Sequence, residues 1–257
     1  MRGIDILGNI AIVKFPWDSK DRDKKREADQ ILKTHKGVQT VVEKVERFKG
    51  RLRTQTTRHI MGVKTKEVLY KENGGVFRFN IDTCYFSPRL SQERIEVANM
   101  VKKGENVLVM FGGVAPFAIV IAKHSKAKRV VSVELSRECS KYAFENAKRN
   151  KVDKVVEIVQ GDVRKAVPKL KEKFDRIIMT RPNLNDPFLD VALKSVKRGG
   201  IIQWYGFYPE EEMNNMKEMI IKEIKESEVK ARLIGIKKAG DIGVRKFRWR
   251  ADIKIGK

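Results

Sequence analysis

The chain is poor in metal-binding and cross-linking residues. It carries two cysteines, Cys84 and Cys139, among 257 residues, too far apart for a metal spacing and too few for a disulfide framework. Three histidines, His35, His59 and His124, fall short of a zinc signature, so no metal site is expected. No apolar run approaches the roughly 20 residues of a membrane-spanning helix, and the first residues lack the apolar core of a secretory signal. A cytoplasmic protein with no membrane partner is therefore expected. Acid is also scarce: 33 Asp and Glu stand against 56 Lys and Arg, a net charge of +23. A heat-tolerant Lys/Glu-rich surface would balance near zero. An imbalance of this size points to a polyanionic partner, and nucleic acid is the default.

The amino-terminal third reads as a small β-rich domain over residues 1–82. Residues 4–15 form two apolar runs around Gly8-Asn9, a hairpin signal. A charged helix follows over 18–32, then a β-branched strand over 38–45. From Lys44 to Lys71 nine basic residues face only Glu46 and Glu67, with Thr54, Gln55, Thr56 and Thr57 among them. Hydroxyls, amides and cations together suit phosphate oxygens, so this stretch is the first candidate RNA surface. Glu72-Asn73-Gly74-Gly75 turns into a strand ending at Ile81.

The remainder, residues 83–257, alternates strands and helices around Val107–Lys123 (VLVMFGGVAPFAIVIAK). There a short apolar strand breaks at Gly112-Gly113 and an apolar helix begins, the unit on which open α/β sheets bind nucleotide-like ligands. Strands are predicted at 130–133, 155–159, 175–179 and 201–205, with helices at 137–150, 188–196 and 210–226. An acid ending the second strand, Glu134, suits a ribose diol. Gly161-Asp162 and Thr180-Arg181-Pro182-Asn183 end the third and fourth strands. The tail from Lys230 predicts two strands around Gly240-Asp241, with Lys246, Arg248 and Arg250 sharing one face as a second basic surface. Crossovers ending in a strand pair fit the seven-stranded, Rossmann-like sheet of class I S-adenosylmethionine-dependent methyltransferases. Asp82–Arg94 (DTCYFSPRLSQER) admits two readings: ordinary capping by Ser87 or Ser91, or a polar pocket beside an aromatic platform.

With these residues in view, the chain resembles the archaeal and eukaryotic tRNA guanine-37 N1-methyltransferases and their relatives in wyosine synthesis. Tyr85-Phe86-Ser87-Pro88-Arg89-Leu90 with Glu93-Arg94 is similar to that family's signature. Phe111, Gly113, Val114, Pro116 and Phe117 match its cofactor loop, and Gly161-Asp162-Val163-Arg164 its adenine-side turn. The resemblance implies S-adenosylmethionine bound by Tyr85, Phe111, Gly113, Val114, Pro116, Phe117, Glu134, Asp162 and Val163. It implies Glu93 as general base, Arg89 and Arg94 facing phosphate or the purine oxygen, and Thr180 and Pro182 beside the base. The partner it implies is tRNA, at position 37 of the anticodon stem-loop, with the enzyme a monomer. The chain begins where that family's second domain would begin, so the domain gripping the outer corner of tRNA is expected to be missing.

The chain departs from the family's pattern in three places, of which Gly112 and Ala115 swapping the usual small residues of the loop is mild. Val109 replaces an acid, and Thr180-Arg181 replace an asparagine that would hold the guanine edge. A changed pocket is what methylation of C7 in a tricyclic wyosine precursor would need. The alternatives to guanosine N1 are therefore that reaction, aminocarboxypropyl transfer in wybutosine synthesis, and a non-catalytic RNA-binding relic of the fold.

Overall fold

A computed structural model describes residues 4–46, 50–180, 186–243 and 245–256. It divides into two compact units, Met1–Pro88 and Arg89–Lys257.

In the first unit, β1 (Ile4–Leu7) and β2 (Ile10–Val13) pair antiparallel across Gly8. Gly8 has φ +54°, and a Cβ there would lie 2.0 Å from the Leu69 carbonyl oxygen, so glycine is demanded twice over. Helix α1 (Asp21–Thr34) buries Ala28 and Ile31 and crosses to β3 (Thr40–Lys44), which pairs parallel with β2. Strand β4 (Thr57–Gly62) closes this sheet antiparallel to β3. Strands β5 (Glu67–Glu72) and β6 (Gly75–Asn80) form a separate hairpin. Phe86 packs on it, stacked 4.9 Å from Phe79 and edge-on 5.1 Å from Tyr70.

The second unit opens with a 3₁₀ turn at Pro88–Leu90 and α2 (Ser91–Met100). Leu90 stands at the cap of this helix, without a side-chain bond. The crossovers then run β7 (Asn106–Met110), α3 (Pro116–His124), β8 (Arg129–Glu134), α4 (Arg137–Arg149), β9 (Val156–Gln160), α5 (Val163–Lys169), β10 (Phe174–Met179), α6 (Leu189–Ser195) and β11 (Val196–Pro209). Helix α7 (Met213–Glu226) precedes β12 (Ala231–Gly243) and β13 (Lys246–Ile255). The seven strands lie in the order β12-β13-β11-β10-β7-β8-β9. All neighbours are parallel except β13, which is antiparallel to both β11 and β12. This is the expected Rossmann-like mixed sheet. Val107–Met110 are fully buried, because helices cover both faces of a parallel sheet and leave the strand no polar side. Met216, Ile220 and Ile224 of α7 enter the core.

Two expectations are corrected. The tail does not turn at Gly240-Asp241; β12 continues to Gly243, absorbing Gly240 in an irregular register, since a glycine inside a long strand permits a bulge. The basic residues of β13 are not a common exposed face: Lys246 is exposed, but Arg248 and Arg250 are buried. An interior strand of a covered sheet has no solvent face to offer.

Candidate functional site

The carboxyl ends of β7, β8, β9 and β10 meet along one rim, at the point where strand order reverses on either side of β7. The turn after β7 is conformationally costly. Phe111, Gly113 and Ala115 all have positive φ, at +63°, +56° and +65°, and left-handed backbone on a non-glycine residue costs about 1–2 kcal/mol. Such strain gathers at ligand sites and is held by its surroundings. Here the surroundings are identifiable. The Gly112 N–H donates to the Val133 carbonyl at 2.9 Å. The Phe111 ring meets Phe188 edge-on at 5.0 Å. Asn146 donates to the Val114 carbonyl at 3.3 Å. Pro116 occupies the first turn of α3, where its missing N–H costs nothing, and Phe117 behind it is buried.

Glu134 ends β8 against this turn. Its Oε2 accepts from the Gly113 N–H at 2.8 Å and its Oε1 from the Ser136 N–H at 2.7 Å. Burial pushes its carboxyl above the usual range, and the amide bonds only partly offset that. Each oxygen retains a second lone pair. On the adjacent strand, Gly161 N–H donates to the Glu134 carbonyl at 2.8 Å. Asp162 then caps α5, accepting from the Arg164 N–H at 2.9 Å, with Val163 buried behind it. On the other side of β7, the Thr180 hydroxyl lies 2.9 Å from the Phe111 carbonyl and 3.2 Å from that of Met110. Its proton is thus spent on closing the strand ends. Arg181, Pro182 and Asn183 lie outside the described residues.

A second group converges on Glu93, in the first turn of α2 and 4% exposed. Its Oε1 accepts from the Tyr205 phenol at 2.6 Å and from Arg250 Nη1 at 2.7 Å. Tyr205 also meets Phe117 edge-on at 6.0 Å, and the Arg94 guanidinium lies 5.8 Å from the same ring. Phe117 therefore joins the cofactor-type loop to the Glu93 group. Of the expected residues in this unit, the fold gathers Phe111, Gly113, Val114, Pro116, Phe117, Glu134, Asp162, Val163 and Thr180 on the rim. Glu93 and Arg94 are linked to it through Phe117, and Arg89 is exposed in the 3₁₀ turn before α2. Tyr85 belongs to the first unit, where the Arg53 guanidinium covers its ring at 5.1 Å.

Sequence reading missed Tyr205 and took Arg250 for part of a basic surface; the two lie 112 and 157 residues from Glu93. It also missed Arg164, which joins Asp186 and Asp190 at 2.7 Å each and stacks 4.8 Å from Phe188. No spacing pattern signals either group. In the first unit the basic stretch is partly engaged: Arg58 pairs with Glu43 at 2.7 Å and Lys66 with Asp82, whereas Lys64 and Lys71 are exposed. Among the described residues no cluster of His, Cys, Asp or Glu is arranged for a metal, and no helix is long and apolar enough to cross a membrane.

With this geometry established, comparison with known proteins gives consistent matches. Residues 68–233 match the TRM5/TYW2 methyltransferase domain. The chain is 40% identical over 206 residues to the tRNA (guanine(37)-N(1))-methyltransferase Trm5b of Pyrococcus abyssi, covering 80% of this chain but 60% of that protein. It is 33% identical to the tRNA (guanine(37)-N(1))/4-demethylwyosine(37)-methyltransferase Taw22 of Nanoarchaeum equitans, over 98% of this chain and 99% of that one. The crystal structure of Pyrococcus abyssi Trm5b superimposes with a TM-score of 0.87 at 34% identity, over 99% of this chain and 75% of that one.

Proposed function

The chain belongs to the TRM5/TYW2 methyltransferase family, and on that premise we propose that it transfers a methyl group from S-adenosylmethionine to the purine at position 37 of tRNA, with N1 of guanosine the leading target. Glu134 carries this reading. A carboxylate at the carboxyl end of the strand next to the glycine turn, held by two amides and with lone pairs to spare, fits a ribose diol. Asp162 at the next strand end is a second acceptor of the kind that exocyclic amines need. The strained Phe111–Ala115 turn and Phe117 form an apolar floor. When bound, the cofactor supplies a methyl group already activated on a sulfonium.

The chain's own task is alignment and proton removal. Guanine N1 carries a proton at neutral pH and becomes a nucleophile only on losing it. Glu93 is the carboxylate suited to take that proton, while Arg89 and Arg94 suit phosphate or the charge developing on the purine oxygen. The first unit's exposed lysines, together with the overall charge, suit the anticodon stem-loop.

A second reading has a specific observation behind it. An asparagine amide would donate to the guanine edge, but the Thr180 hydroxyl proton is directed at backbone carbonyls. A pocket without that donor suits carbon methylation of a tricyclic wyosine precursor, and the name of the Nanoarchaeum equitans relative covers both substrates.

Incubation with methyl-labelled cofactor and tRNA, followed by mass-spectrometric mapping, separates the readings. Label at guanosine N1 supports the first, and label only on precursor-containing tRNA supports the second. The absence of both label and cofactor-binding heat would return the chain to an RNA-binding relic.

A further inference from the structure

The two oxygens of Glu93 are used unequally. Oε1 accepts from both Tyr205 and Arg250. Oε2 accepts no hydrogen bond among the described residues, and it is not one of the unpartnered atoms sealed from solvent. A carboxylate serving only to tie a strand to a helix would be expected to face the guanidinium fork with both oxygens, the geometry in which that pair is strongest. Here the fork is divided: Nη1 also reaches Glu96 Oε1 at 3.2 Å, and Nη2 goes to Asp252 Oδ2 at 3.3 Å.

We propose that Tyr205 and Arg250 are positioning residues that fix Glu93 through Oε1 and reserve Oε2 for the proton leaving the purine. This rests on the reading of Glu93 as the base. In that step the purine N–H bond breaks, the proton moves to Oε2, the nitrogen pair takes the methyl carbon, and the carbon–sulfur electrons leave with sulfur. Neither partner competes for the proton. Burial, reinforced by the charge of Glu93, holds the Tyr205 phenol well above its ordinary range. Burial works against the charge of Arg250, but Glu93 and Asp252 outweigh it. The other charged groups around the carboxylate are Glu96 and Arg94 on α2, Asp252 on β13 and, through Glu96, Lys237 on β12.

Removing Arg250 outright would leave Glu93 without its cation in a buried site and would endanger folding. Tyr205→Phe is the cleaner variant, because it keeps the ring on Phe117 and deletes one donor. Single-turnover methyl transfer is measured from about pH 5 to 9, so that product release does not mask the base. Loss of a donor disfavours the ionised carboxylate, so the acid limb of the profile moves up by about one pH unit. The rate falls about tenfold on the acid side and recovers toward alkaline pH, while cofactor affinity by calorimetry is unchanged. Arg250→Lys, confirmed as folded by its melting curve, shifts the limb in the same direction. If Glu93→Gln is inactive yet both variants keep the wild-type acid limb, the positioning role is overturned and the base survives. If Glu93→Gln retains turnover, the base assignment itself fails.

Discussion

At the scale of single residues, the glycine turn after β7 is set by a neighbour on the next strand. A Cβ at Gly112 would lie 2.0 Å from Ser132 Oγ and 3.4 Å from Ser132 Cβ. That hydroxyl is itself buried without a partner. Gly112→Ala should therefore cost about 1–3 kcal/mol of stability through overpacking, read as a lower urea midpoint with unchanged slope. Ser132→Ala removes both the clash and an unsatisfied polar atom, so the double variant should return close to wild type. A double variant as unstable as the single one would place the conflict elsewhere. Glu134 belongs to the same turn. In the proposed role Glu134→Gln would lose charge-assisted bonds to a diol, worth about 1.5–3 kcal/mol, so calorimetry should show cofactor affinity lower by tenfold or more with tRNA affinity unchanged. These rim residues were legible in the sequence because each follows its strand within a residue or two. Tyr205 and Arg250 were not, since only sheet order brings β11 and β13 to α2.

At the scale of elements, legibility followed how many faces an element buries. The Gly8 hairpin and strands β7, β8 and β10 announced themselves by turn chemistry or by short apolar runs. Strand β13 misled, because alternation of Arg with Trp and Ala normally marks a half-exposed strand. Here both sides are covered, and Arg248 lies against Phe207, 5.0 Å from its ring. Strand β4 (TRHIMG) lacks alternation and is held partly by charge. Its Arg58 donates through both Nε and Nη2 to Glu43 Oε2, while Oε1 accepts from Lys24 of α1 at 2.7 Å. Burial would raise the Glu43 carboxyl, but Lys24 and Arg58 overcome it and hold it below the usual range. A carboxyl depressed in the folded state adds stability above its unfolded value of about 4.3, lost as pH falls through the folded value. Glu43→Gln should thus cost about 3 kcal/mol at pH 7, by stranding the buried Lys24. It should also flatten the acid side of the first unit's stability curve. Equal losses for wild type and variant between about pH 5 and 3 would remove this cluster from the account.

At the scale of the whole molecule, the imbalance of 56 basic against 33 acidic residues is a statement about association, and burial decides which charges take part in it. Counterion release makes the logarithm of RNA affinity fall linearly with the logarithm of salt, by about 0.9 per phosphate neutralised on a duplex. Only cations exposed to a phosphate contribute to that slope. Lys64 and Lys71 of the first unit and Lys246 of β13 are exposed, whereas Arg248 and Arg250 are enclosed. Replacing Lys64 and Lys71 with Gln should weaken tRNA binding and shallow the slope by up to about two contacts' worth, with methyl transfer at saturating tRNA little changed. Arg248→Met should lower the melting temperature yet leave the slope where it was. Binding titrations from about 50 to 300 mM salt make the distinction. If the lysine variant kept the full slope while the Arg248 variant lost some, the anion-binding surface would have to include a residue this fold encloses, and the first unit's basic stretch would have no part in holding RNA.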